Sequence, residues 1–441
     1  MNLWEPDFPH IDMEGKTRVL MEDPMFRNRR VSARSRGLAL SISCLVVALT
    51  TGCGPWPMYQ GNAQRTGRSG ADTSSTNGSV IWTSKVGDLG GKPVMGFGLD
   101  NKPVIYTGTS YWHARDFNFY ALNMDGSLRW KFLTGSTNPS PAAVGLDKVI
   151  YFGSDDLYLY ALNPDGTERW AYALPPCYLS PPPVPAIGNA PQNRGILAYD
   201  IYMKDSCGTV TVLTQDGTLE WMFDGFTDRS GSSLTPIALA PDGSVVGDYL
   251  FFGNDYQSGI YALTASGSLK WVYSAGFQWI HGLAIGADGT AYFHANPQFS
   301  TTSNLYAVNP DGTLKWRSAD LPISDGQFRS PGLAIGADGT IYLAEGEQGL
   351  WAIDPNNGNV KWSVLQALVF STPVIGGDGT IFAGGSDPGG SFYAFHPDGS
   401  LRWILNSACG ISGSTPVIGS DATIYADGDD GNGSGQLCAI H

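Results

Sequence analysis

The chain has 441 residues, with 26 Lys+Arg against 40 Asp+Glu and a formal net charge of −14 at pH 7. Charged residues make up only 15%, aromatics reach 12%, and there are 57 Gly. This mix excludes a helical protein rich in Ala, Glu and Lys and a disordered chain poor in aromatics. It also excludes a nucleic-acid binder, because no Lys/Arg cluster follows Arg68. It suits many short strands joined by tight turns.

Residues 1–24 mix acids, Pro and aromatics and fit no targeting segment, so they read as an extension ahead of a start at Met25. Residues 25–52 read as a secretory signal. Arg27, Arg29, Arg30, Arg34 and Arg36 form the basic region, and an apolar run covers Gly37 to Leu49. That run is shorter than the roughly 20 apolar residues that cross a bilayer. Leu49-Thr50-Thr51-Gly52-Cys53 resembles a bacterial lipobox, with Leu one step earlier than usual. Cys53 is the expected lipid acceptor; a plain cleaved signal and an uncleaved anchor are the alternatives. Residues 53–79 would then be a lipid-anchored linker and lead-in, followed by a repeat domain over 80–441.

A twelve- or thirteen-residue segment ending in Trp occurs seven times, as in FYALNMDGSLRW to Trp130 and FYAFHPDGSLRW to Trp403. Its other copies end at Trp170, Trp221, Trp271, Trp316 and Trp362, about 40 to 51 residues apart. A second segment, such as STPVIGGDGTIFAGG near Pro373, lies between them. Each unit therefore predicts four short strands, A to D, the size of one propeller blade. Asp-Gly between apolar runs marks hairpins, because Gly accepts the positive φ that closes the turn. The turn aspartates are structural on this reading.

The final unit, from Ser414 to His441, lacks the terminal Trp strand. Ile81 to Lys85, containing Trp82, matches that missing strand at the other end of the chain. The expected fold is all-β: an eight-bladed β-propeller of four-stranded antiparallel blades, closed by the N-terminal strand. Such closure removes free sheet edges. The eight tryptophans should pack between blades.

Beyond Cys44 in the apolar run and Cys53, four cysteines remain, and an exported protein meets an oxidising compartment. The repeat register favours Cys177–Cys207 and Cys409–Cys438, each within one blade; four free thiols are the alternative. No CxxC pair suggests zinc. The histidines show no metal-ligand spacing. His281 and Trp279 fall at the entrance to strand A of blade 5, with Arg329 and Lys92 at comparable places in blades 6 and 1. Together they could ring a polar pocket at the channel mouth, or simply form its solvated rim. Asp427 to Asn432 superficially suggests a calcium loop without the required register.

The repeats, with the lead-in Trp56 to Ser69, resemble the pyrroloquinoline-quinone (PQQ)-like propeller family, in its branch of BamB-like envelope lipoproteins. The family's docking pattern Ala-x-Asp-x-x-x-Gly-x-x-x-Trp is complete only at Ala352 to Trp362. The resemblance implies a protein-binding scaffold of the envelope, engaging outer-membrane barrel-assembly components. Its quinoprotein branch implies instead a dehydrogenase with PQQ, Ca²⁺ and a vicinal Cys pair. No adjacent cysteines and no haem-attachment segment occur. The expectation is therefore a non-enzymatic, cofactor-free lipoprotein exported to the envelope, most simply the outer membrane. A PQQ dehydrogenase and a carbohydrate-binding or sensing propeller are the alternatives.

Overall fold

A computed structural model describes residues 57–441, with short gaps in the connecting loops. Cys53 and the signal region lie outside the described residues, as do Cys177 and Arg329.

Eight antiparallel sheets form eight blades. Blade 1 shows the plan: Val94–Phe97 (A), Pro103–Thr107 (B), Asn118–Leu122 (C) and Leu128–Leu133 (D). Inner strands are short; those of blades 2, 4, 7 and 8 are two residues each, such as Ala143–Val144 and Val374–Ile375. Strands B and C are buried on both faces, whereas strand D alternates, as in Leu269–Gly276 of blade 4. A strand buried on both faces needs apolar residues throughout, while an outer strand needs only period-two patterning. Apolar side chains of neighbouring blades pack together. Phe119 of blade 1 and Phe152 of blade 2 stack with ring centroids 4.0 Å apart.

The ring closes as the sequence predicts. Val80–Ser84 pairs antiparallel with Gly435–Ile440, one residue earlier than the expected Ile81 to Lys85. Trp82 lies opposite Ala439. The backbone of Ser79 extends the pairing to His441 through reciprocal bonds of 2.9 Å. Cys409 and Cys438 form a disulfide that ties the loop entering blade 8 to its third strand. Asp427 to Asp429, expected in a loop, instead extend the second strand, Ile424–Asp429.

One contact repeats around the whole ring. The Trp of each strand D donates its indole N–H to a carbonyl of the next blade. Trp130 bonds Pro164, Trp170 bonds Gln215 and Trp362 bonds Pro397, at 2.9–3.1 Å. The same ring lies on the turn glycine that follows: Trp82 on Gly126, Trp130 on Gly166, Trp362 on Gly399. A Cβ added at Gly126 would stand 2.8 Å from the Trp82 ring. Those glycines therefore serve twice, once for positive φ and once for flatness beneath an indole. At the eighth joint the lead-in substitutes for a turn: Trp403 bonds the Thr76 carbonyl and lies on Gly78.

These two demands can be separated. Gly126 (φ +80°) and Gly243 (φ +81°) share a backbone conformation, but a Cβ at Gly243 meets nothing nearer than 3.6 Å. Gly243→Ala should cost about 1–2 kcal/mol, for the positive φ alone. Gly126→Ala should cost about 1–3 kcal/mol more, for displacing the indole. Urea unfolding of the two variants checks this; equal costs would remove the stacking role.

Candidate functional site

The inner strands line a central channel, and the lead-in lies along the end where those strands finish. Its carbonyls accept from the last amides of five A strands. Val144 N–H donates to Pro57 (2.7 Å), Leu239 to Ala63 (2.8 Å) and Ile285 to Gln64 (2.9 Å). Ile335 donates to Thr66 and Ile375 to Gly67, both at 2.8 Å. Gln60, Gly61, Arg65 and Gly67 all take positive φ, which bends the segment around the axis. Asn62 Oδ1 accepts the Thr66 N–H at 3.1 Å, closing one of these turns.

The lead-in also buries side chains against the inner strands. Met58 and Arg65 are fully buried. Arg65 Nε donates to the Ile237 carbonyl at 3.0 Å and Nη1 to the Tyr59 carbonyl at 3.1 Å. Lys92 Nζ donates to the Tyr59 hydroxyl at 3.2 Å. Arg65 Cζ stands 5.3 Å, and Lys92 Nζ 4.7 Å, from the centroid of the Tyr59 ring. Burial alone would push the Tyr59 phenol up. The Lys92 charge, with hydrogen bonding to the Tyr59 hydroxyl, overrides it and holds the phenol down at about 8. Burial lowers the Arg65 guanidinium to about 10, against a smaller opposite push from Tyr59, so it stays cationic near neutrality.

On blade 5, Trp279 and His281 sit on the long inner strand Trp279–Ile285. His281 Nε2 shares a hydrogen bond with Asn296 Oδ1 at 2.8 Å, and its ring lies 5.9 Å from that of His294. Lys92 therefore joins Tyr59, and His281 joins Asn296 and His294. The two sets share no hydrogen bond or ion pair among the described residues. Arg65 and Tyr59 were missed by the sequence reading, which gave the lead-in no part in the channel. On the turn face, a cavity of about 570 Å³ is lined by Gln64, Arg68, Tyr199, Tyr202, Asp288 and Lys315, among others. The turn aspartates are occupied structurally: Asp165 and Asp311 each accept the N–H and hydroxyl of a Thr two residues on, which lowers their pKa.

A sequence-family model described as outer membrane protein assembly factor BamB matches residues 57–176 and 206–441. No curated protein matches the sequence. Among solved structures, a europium-containing methanol dehydrogenase is 13% identical with a TM-score of 0.65, covering 89% of this chain and 99% of its own. Quinohemoprotein alcohol dehydrogenase from Comamonas testosteroni is 13% identical with a TM-score of 0.64, covering 91% and 83%. BamB from Moraxella catarrhalis is 16% identical with a TM-score of 0.56, covering 82% and 96%.

These matches correct the expectation of a non-enzymatic chain. Two dehydrogenases superpose at higher TM-scores than BamB and over more of the chain. Missing cysteine motifs were therefore too narrow a basis for excluding an enzyme, because this one fold accommodates both kinds of protein. Among the described residues no three His, Cys, Asp or Glu side chains converge to hold a metal.

The His281 environment makes stability depend on acid. Burial first, then the His294 charge, push its imidazole from 6.5 down to about 4, against smaller upward pushes from Asn296 and Asp248. The unfolded chain thus binds a proton that the folded chain refuses between those values, so stability falls as pH drops from about 6.5 to 4. The loss should reach about 2–3 kcal/mol. His281→Gln should flatten this part of the profile in urea unfolding at several pH values; an unchanged slope would contradict the assignment.

Proposed function

The chain belongs to the propeller family described as outer membrane protein assembly factor BamB, and from that membership we propose that it is a lipid-anchored, protein-binding scaffold of the cell envelope that serves outer-membrane protein assembly. The observation that carries the reading is the family match over nearly the whole described body. The basic and apolar signal ending at Cys53 supports the anchoring. Acylation of that residue would attach the ring to a membrane and leave its surfaces free.

The outer strands supply binding surface. Leu128, Leu219, Leu269, Leu314, Val360 and Leu401 open the D strands of blades 1 and 3 to 7 and are 40–54% exposed. Each is followed by a charged residue: Arg129, Glu220, Lys270, Lys315, Lys361 and Arg402. Exposed strand edges accept extended segments of a partner through main-chain hydrogen bonds. Charged side chains on those edges, mostly basic, guard against uncontrolled self-pairing.

The test is affinity isolation from detergent-solubilised envelopes, with the wild-type chain and Cys53→Ser. The wild-type protein should fractionate with membranes and bring down barrel-assembly components. Cys53→Ser should be released, since acyl chains contribute about 0.8 kcal/mol per buried CH₂. Retention of Cys53→Ser on membranes after a carbonate wash would overturn the anchor. Failure to recover assembly components, together with PQQ-dependent oxidation of an alcohol to its carbonyl product with reduction of an acceptor dye, would overturn the scaffold in favour of a dehydrogenase.

A further inference from the structure

We propose that a small oxyanion, a monocarboxylate or phosphate, binds on the propeller axis against Arg65 and Lys92. This goes beyond the scaffold reading and does not rest on it.

The first observation is an uncompensated charge. Arg65 is fully buried, yet among the described residues no carboxylate pairs with it and its Nη2 has no hydrogen-bond partner. A buried cation without a counter-charge is costly, and a buried guanidinium nitrogen left unbonded adds to that cost. The second observation is a neighbouring, half-buried cation, Lys92. Among the described residues Lys92 bonds only the Tyr59 hydroxyl, so there two cations flank one phenol ring with no acid paired to either.

The rest of the chain shows what is missing. The buried Lys204 faces Asp248, and Arg194 faces Asp200. The chain has 40 acids against 26 basic residues, so acidic partners are not scarce. Among the described residues none pairs with Arg65 or Lys92, where a ligand could supply the charge instead.

The geometry also limits the ligand. Nε and Nη1 of Arg65 are engaged with main-chain carbonyls, so each of its two fork edges, Nε/Nη2 and Nη1/Nη2, already has one donor engaged. Nη2 and the Lys92 ammonium remain as separate donors. They suit single oxygens of a small anion better than the paired oxygens of a fork. Tyr59 reports occupancy, because the Lys92 field that holds its phenol at about 8 would be offset by a bound anion.

The full-length exported protein is exchanged into zwitterionic buffer, with ionic strength held by sodium chloride. Acetate or phosphate is then added in separate titrations. Two quantities are followed: the thermal midpoint, and tyrosinate absorbance as pH is raised. The expected result is a saturable rise in midpoint. The tyrosine that ionises near pH 8 should also move upward by about one unit, and Tyr59→Phe should abolish that early titration. Lys92→Met leaves the Arg65 contacts in place and should weaken the apparent affinity about tenfold or more, the worth of one charge-assisted hydrogen bond. Saturation by acetate alone or by phosphate alone supports the site and identifies its oxyanion. No saturable effect from either, with the Tyr59 titration unmoved, overturns it and leaves water as the partner of Nη2.

Discussion

The inner strand of a propeller blade is a sheet edge, and an edge exposes main-chain groups that must be satisfied or hidden. In this protein the chain's own lead-in meets that constraint. Its carbonyls accept the final amides of the inner strands in blades 2, 4, 5, 6 and 7. The inner strands can then be as short as two residues, because their ends are bonded from the axis as well as from the neighbouring strand. The same segment continues to Thr76 and Gly78, where it stands in for a turn beneath Trp403. It then enters Val80–Ser84 and closes the ring. Channel floor, eighth joint and ring closure are thus made by one continuous stretch of backbone.

The blades were legible because their causes are local or periodic. A Trp at a fixed offset from an Asp-Gly turn marks strand D, and the missing copy after Ser414 points to Trp82 as its replacement. The Cys409–Cys438 bridge followed from the same register. The glycine beneath each indole was only half legible. Its turn conformation can be read from neighbouring residues, but the ring that covers it comes from the preceding blade. The lead-in bonds were not legible at all. They join residues such as Gln64 and Ile285 through main-chain atoms, which leave no side-chain signature at either end.

The same distinction separates the candidate site from its sequence-level expectation. His281 and Lys92 were found by placing strand entrances on a ring, which locates residues without saying what they touch. Tyr59 and Arg65 complete the Lys92 cluster, and they come from a segment with no repeat register to place them. Turn acids such as Asp165, Asp311 and Asp398 are exposed and held ionised by hydrogen bonds within their own turns, so their charge faces solvent. The family match and the fold describe the ring, whereas the chemistry lies in residues that the ring's repeat does not contain.

The central claim is that the lead-in organises the inner edges of the ring, and amide hydrogen exchange on a chain lacking residues 57–69 tests it most directly. Protection should fall at Val144, Leu239, Ile285, Ile335 and Ile375, whose amides bond to that segment, while strands B and C stay protected. Unchanged protection at those five amides would show that the inner edges are satisfied without the lead-in, and would contradict the account.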